Sequence, residues 1–189
     1  DFTHRVAKRV RKGLPDLPVV NYVCPSVWAW KEERAPSMRA YVDHVLALLP
    51  FEPAVMDRLG GPKTTYVGHR LIGDPDVSRI RDARLTRADG VAGERVCLLL
   101  PGSRSTEINR LLPIFGETVK ELSARHPGMR FLLPTVSRQE TLVRRLTADW
   151  PVKPRITTTT EEKWQAFAEA DAAIAASGTV IFELALARV

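Results

Sequence analysis

Two stretches of this sequence carry residue types spaced for holding a phosphorylated ligand. In Leu99-Leu100-Pro101-Gly102-Ser103-Arg104-Ser105-Thr106-Glu107, an apolar run meets a glycine-containing turn and then the start of an amphipathic stretch. Backbone N–H groups at such a strand-to-helix turn attract phosphate oxygens, and an arginine there adds a charge-assisted clamp. Gly102, Ser103 and Arg104 would suit a pyrophosphate. The plainer reading is that Ser105 or Thr106 caps the helix while Glu107 supports its first turn. The stretch is neither a P-loop nor a G-x-G-x-x-G fingerprint, since both glycine patterns are absent.

The second stretch, Ala175-Ala176-Ser177-Gly178-Thr179-Val180-Ile181-Phe182-Glu183, is again a strand, a small-residue turn and a helix start. Ser177, Gly178 and Thr179 can present hydroxyls and N–H groups to a phosphate. Glu183 lies one turn further along the same helix face as Thr179, placed to accept hydrogen bonds from ribose hydroxyls. Two anion-suited turns in one sheet point to a nucleotide; an ordinary connection with an exposed Glu183 is the alternative. A third stretch, Cys24-Pro25-Ser26-Val27-Trp28-Ala29-Trp30-Lys31, sets Trp28 and Trp30 beside Ser26 and a cation, a possible wall for a sugar or acyl group. Tryptophans so placed also serve to pack a loop onto a core. His69 ends the run Val67-Gly68-His69 and is a further cleft candidate, although a lone histidine is equally a structural residue. His4, His44 and His126 have no spacing to a carboxylate or cysteine that would make a catalytic pair or metal site.

Short apolar runs alternate with longer amphipathic ones, which is the pattern of parallel α/β units. Strands are expected at 19–23, 44–48, 64–67, 96–100, 129–133 and 171–175, and helices at 3–13, 36–42, 53–59, 108–126, 138–149, 161–168 and 179–187. Thr157 to Thr160 reads as a strand end leading into an N-cap. Between Gly68 and Gly93 the pattern weakens, so the domain junction is expected there. The resulting division is 1–70 for one domain, 71–92 for a linker region and 93–189 for a second domain. Each side then holds three or four strands, fewer than a complete doubly wound sheet. The absent initiator methionine and an end at Arg188-Val189 without a capping signal lead to the expectation that both domains are truncated.

The chain has 189 residues, 44% hydrophobic and 26% charged, a composition that supports a packed core and excludes a disordered or fibrous class. Its apolar runs are too short to cross a bilayer, and its start lacks the apolar region of a signal peptide. Cys24 and Cys97 stand far apart in no metal-ligand pattern, which argues against both a disulfide framework and a zinc site. A net charge of +6 favours anionic partners. Arg5, Lys8, Arg9, Arg11 and Lys12 crowd a segment where Phe2, Val6 and Val10 recur at helical spacing, suiting a solvated face or a membrane-surface contact.

In order and spacing, these residues resemble the lipid-A-disaccharide synthases over nearly the whole chain. The resemblance rests on Asn21-Tyr22-Val23-Cys24-Pro25-Ser26-Val27-Trp28-Ala29-Trp30, Leu48-Leu49-Pro50-Phe51-Glu52, Val67-Gly68-His69, Leu100-Pro101-Gly102-Ser103-Arg104 and Ala176-Ser177-Gly178-Thr179 with Glu183. It implies a GT-B fold, two Rossmann-like domains facing a cleft, with the acceptor bound mainly by the first and the UDP-sugar by the second. It implies transfer of 2,3-diacylglucosamine from its UDP derivative to 2,3-diacylglucosamine 1-phosphate, giving a β-1,6-linked disaccharide and UDP, at the cytoplasmic face of the inner membrane. No cofactor, metal or nucleic acid is expected.

In such an enzyme a general base takes the acceptor hydroxyl proton while cations and N–H groups stabilise departing UDP. The resemblance assigns nucleotide or phosphate contacts to Gly102, Ser103, Arg104, Glu107, Ser177, Gly178, Thr179 and Glu183, and acceptor or cleft positions to Ser26, Trp28, Trp30 and His69. Asp1-Phe2 matches the end of the family's Asp-x-Pro-Asp-Phe motif, so the expected base precedes Asp1 and the fragment itself is expected to be inactive. Cys24, Lys31 and Ser105 depart from the family's usual serine, arginine and glycine. A UDP-sugar 2-epimerase or other GT-B enzyme is the alternative. A non-catalytic basic binding module is a third reading, suggested by charge alone and disfavoured by the absence of nucleic-acid-binding signatures.

Overall fold

The structure is a computed structural model that describes residues 2–86 and 95–189. The chain divides into two compact units, Asp1–Arg70 and Leu71–Val189. Both are of the expected class, helices packed on all-parallel sheets of Rossmann-like form.

The first unit contains α1 (Phe2–Gly13), β1 (Val20–Tyr22), α2 (Arg34–Met38), β2 (His44–Ala47), α3 (Glu52–Arg58) and β3 (Lys63–Tyr66), with sheet order β1-β2-β3. Val45 and Ala47 on β2 face a core shared with Cys24, Val27, Met38 and Met56. The register puts Val20 and Tyr22 beside His44 and Leu46 on the opposite face, where Val20 and Tyr22 are exposed. Asp43 fastens α1 to this sheet: its carboxylate accepts the Val19 N–H at 2.7 Å and pairs with Arg11. Those two hydrogen bonds, the Val19 N–H first, hold its carboxyl below the usual carboxylate range.

The second unit contains α4 (Pro75–Thr86), β4 (Val96–Leu100), α5 (Ser105–Arg125), β5 (Arg130–Pro134), α6 (Glu140–Leu146), β6 (Arg155–Thr157), α7 (Thr160–Glu169), β7 (Ala172–Ala175) and α8 (Thr179–Ala187). Its sheet order is β6-β5-β4-β7, so the winding reverses at β4. All five residues of β4 are buried, as expected of a central parallel strand covered on both faces. Cys97 and Leu99 pack with Ile108, Leu112 and Phe115 of α5 and Val143 of α6. Val96, Leu98 and Leu100 pack with Val77 and Ile80 of α4, Trp164 and Phe167 of α7 and Leu184 of α8. Asp171 fixes the lower end of the β4–β7 pair, its carboxylate accepting the Val96 N–H at 2.7 Å and its own N–H donating to the Val96 carbonyl at 2.8 Å.

Residues 71–92, expected as a linker region, differ from that reading over their described part. Leu71, Val77 and Ile80 belong to the core of the second unit, and α4 packs on α7 and α8. Asp74 caps α4, accepting the Asp76 N–H at 2.9 Å. Near the other end, Arg84 donates to the carbonyls of Phe167, Ala170 and Arg188, closing the C-terminal ends of both neighbouring helices. The rest of that stretch, 87–92, lies outside the described residues. Strand β6 ends at Thr157, where the sequence places a strand end, although the strand itself was not among those expected, and the helix expected at 138–149 is a 3-10 turn, Ser137–Gln139, followed by α6. Among the described residues no helix is long and apolar enough to cross a membrane.

Burial pushes the thiols of Cys97 and Cys24 up to about 11 and about 12, Glu52 adding to the effect at Cys24. Gly116 marks a close approach of α5 to Trp150, where an added Cβ would lie 2.7 Å from Trp150 Nε1. Gly116→Ala is therefore expected to lower stability by about 1–3 kcal/mol, overpacking outweighing the gain in helix propensity. A urea midpoint unchanged or raised would show that Trp150 yields without cost.

Candidate nucleotide site

The carboxyl ends of all four strands of the second unit open on one cavity of about 440 Å³. It straddles the gap between β4 and β7, the point where the winding reverses and where open α/β sheets bind ligands. Gly102, Ser103, Arg104 and Glu107 line one side, and Ser177, Gly178, Thr179 and Glu183 the other. The eight second-unit residues singled out from the sequence thus share one cavity.

The first turn is shaped by its own glutamate. Glu107 Oε2 accepts the Arg104 N–H at 3.4 Å, and Oε1 pairs with the Arg104 guanidinium at 2.7 Å. The Arg104 side chain in the first place, with the Arg104 and Ser103 N–H groups, holds the Glu107 carboxyl below the usual carboxylate range. Gly102 is required here. Its φ is +99°, and a Cβ would meet Glu107 Oε2 at 2.4 Å. Ser105 Oγ is 3.0 Å from Gln139 Nε2, and buried Gln139 ties the turn to the 3-10 segment after β5. Neither Ser105 nor Thr106 is the N-cap; Arg104 occupies that position, and Glu107 satisfies the donors.

At the second turn, Gly178 precedes α8 and no side chain caps the helix. Glu183 is three-quarters buried or more and meets Lys163 of α7, Nζ to Oε2 at 2.6 Å. Lys163 also lies 4.6 Å from the ring centroid of Trp164, so aromatic contact and ion pair fix it at the cavity wall. The sequence reading had not singled out Lys163, nor Thr135, Val136 and Thr158 to Thr160, which complete the lining. Thr159 is the N-cap of α7, its Oγ1 accepting the Glu162 N–H at 3.2 Å while the Glu162 carboxylate accepts the Thr159 N–H at 3.2 Å. Among the described residues, the buried hydroxyls of Thr135 and Thr157 have no hydrogen-bond partner.

In the first unit, Trp28 Nε1 donates to the buried Glu52 at 3.4 Å, and its ring meets Phe51 edge-on at 5.4 Å. Glu52 also accepts the Leu48 and Leu49 N–H groups at 3.1 and 2.9 Å. The glutamate of Leu-Pro-Phe-Glu therefore holds its own turn and anchors the tryptophan loop. Ser26 is exposed, its carbonyl accepting from Ala29 and Trp30. Trp30 is exposed with Lys31 Nζ 4.2 Å above its ring, and His69 is half-buried past the end of β3. Of these four candidates, Trp30 lines a cavity of about 380 Å³ together with His4, Lys8 and Tyr41.

A family model described as lipid-A-disaccharide synthetase matches residues 1–189, the whole chain. The chain belongs to this family. Proteins named lipid-A-disaccharide synthase from Rhodopseudomonas palustris strain HaA2 and Nitrobacter winogradskyi are each 50% identical over all of this chain, which covers 48% and 47% of their lengths. One from Rhodospirillum centenum is 44% identical, again over the whole chain and 47% of its own length. The chain thus spans about half the length of these relatives.

Gly102→Ala is expected to cost about 1–3 kcal/mol through left-handed strain and displacement of the Glu107 carboxylate. In a Glu107→Ala background the same change should cost less, a non-additivity that a double-mutant cycle on urea midpoints reads directly. Strict additivity would show that the carboxylate contact is not the cause.

Proposed function

We propose that the native gene product containing this sequence is an inverting glycosyltransferase that moves 2,3-diacylglucosamine from UDP to 2,3-diacylglucosamine 1-phosphate. The observation that carries this reading is the convergence of two anion-suited strand-to-helix turns on one cavity at the switch point of the second unit. Membership in the family, whose named relatives are lipid-A-disaccharide synthases, supplies the substrate class.

In this reading the diphosphate of the donor lies between the two turns. The N–H groups opening α8 and the hydroxyls of Ser177 and Thr179 hold phosphate oxygens, and the Arg104 guanidinium swings from Glu107 to the leaving phosphate. Glu183, held by Lys163, accepts from ribose hydroxyls. Displacement at the anomeric carbon gains from these donors because charge on the departing UDP grows towards the transition state. The first unit supplies acceptor contacts through Ser26, Trp28, Trp30 and His69. Helix α1, basic along one face, would rest at the cytoplasmic surface of the inner membrane beside the acylated substrates.

The test is UDP release by the native gene product with both acylated substrates in detergent, with the lipid product identified by mass spectrometry. Arg104→Ala should lower kcat/KM about ten- to hundredfold, the worth of one charge-assisted phosphate contact. Absence of disaccharide with both lipids dispersed, or an epimerised free sugar as product, would overturn the synthase reading.

A further inference from the structure

Lys163 stands near the N-terminal end of α7, where the aligned backbone dipoles favour anions over cations. Its neighbours suit that end: Glu161 and Glu162 precede it, and Glu162 closes the cap on Thr159. A lysine there is held against the field of its own helix, and its counter-charge comes from another one. The Nζ donates to Glu183 Oε2 of α8 at 2.6 Å, across twenty positions of sequence. Side-chain exposure is 29% for Lys163 and 16% for Glu183, so solvent screens this pair far less than a surface pair.

Three contacts restrict the ammonium. Besides the carboxylate, it meets the Trp164 ring at 4.6 Å and the Phe167 ring at 5.5 Å from their centroids. Both rings are buried and pack edge to face at 5.3 Å, so they belong to the fixed core of the second unit. Lys163 therefore passes the rigidity of that core to Glu183. The carboxylate is held at one oxygen only: among the described residues Oε1 accepts no hydrogen bond, and Glu183 lines the nucleotide cavity. A carboxylate fixed at one oxygen and open at the other is a pre-oriented acceptor, whose side chain need not be ordered when a ligand donates to it.

We infer that Lys163 is a positioning residue for the ribose of the donor: it touches no part of the ligand and acts by holding Glu183 in the orientation that accepts from the ribose diol. The contact between Glu183 and ribose belongs to the function proposed above, on which this inference rests. What is added is that a second helix sets the strength of that contact, through a residue outside every motif that carries the family resemblance. The ribose does not change charge during transfer, so the contact is equally strong in ground and transition states. Its loss falls on KM rather than on kcat.

The experiment uses the native gene product and two probes, UDP and 2′,3′-dideoxy-UDP, which lacks both ribose hydroxyls, with binding followed by calorimetry. The wild type should prefer UDP by about tenfold or more, the worth of a hydrogen bond to a charged group. Lys163→Met keeps an apolar stem and removes the ammonium. It should weaken UDP alone, cutting the preference to about threefold or less and leaving the dideoxy compound unaffected. In turnover its KM for the UDP-sugar should rise about tenfold with kcat nearly constant. With Glu183→Gln in place, Lys163→Met should change the preference no further, because its effect passes through the carboxylate. That double variant leaves no carboxylate unpaired, so the comparison stands even where Lys163→Met alone does not fold. A variant that weakens both nucleotides by the same factor has lost a phosphate or a structural contact and overturns the positioning role. An unchanged preference, a further loss in the Glu183→Gln background, or a wild type that binds the two probes equally overturns it too. If UDP binds with the expected preference and Lys163→Met removes it, yet the wild type forms no disaccharide, the synthase reading fails and the positioning role stands. A wild type that binds neither nucleotide overturns both.

Discussion

The second unit depends on one strand being hydrogen-bonded in parallel on both sides. Leu98 of β4 pairs in register with Leu132 of β5 and with Ala173 of β7, although β5 follows β4 in the chain and β7 comes two strands later. That order forces the connections on either side of β4 to leave in opposite directions, so the loops after β4 and β7 diverge and a hollow opens between them. Complete burial of β4 follows from the same geometry, since helices lie on both faces. The cavity is a consequence of this topology, and the loop residues decide only what it holds.

Glutamates give the loops their shape. Glu107 folds back onto the turn after β4, Glu162 closes the start of α7, and Glu52 gathers two N–H groups and an indole in the first unit. In each case a carboxylate near the start of a helix satisfies backbone donors at the N-cap or in the loop before it. Two turns that carry the resemblance and the start of α7 therefore owe their conformation to short-range charge-assisted hydrogen bonds. Trp28 illustrates the result: its indole is set by Glu52, twenty-four positions away and part of a separate motif.

Legibility in the sequence followed the range of the interactions. The strands β2, β4, β5 and β7 are apolar runs bounded by turns, and their bounds agree with expectation to within about two residues. Strand β6 is short, at the sheet edge, and preceded by Pro151 and Pro154, so it carries little apolar signal. Helix α4 buries mainly Val77 and Ile80 and is fastened by Arg84 to carbonyls more than eighty residues on, which no local pattern encodes. The same reason hides Lys163. On a helix it reads as one more solvated cation, and only the fold brings it to Glu183. By contrast, Gly102, Arg104 and Glu107 were legible as a group, but whether Glu107 served the ligand or the helix was not, because both uses demand the same residue at the same spacing.

The second-unit cavity neutralises its own cations before any ligand enters. Arg104 is already paired with Glu107 and Lys163 with Glu183, so an anion that contacts either cation must displace a carboxylate from it. Its affinity is then a difference between two charge-assisted contacts rather than the whole of one. The two pairs differ in how readily they yield: the Arg104 side chain is exposed and its pair with Glu107 is screened by solvent, whereas Glu183 is largely buried and its pair with Lys163 is screened much less. Of the two cations, Arg104 is therefore the one that can change partners at small cost, and Lys163 the one that holds its place in the cavity wall.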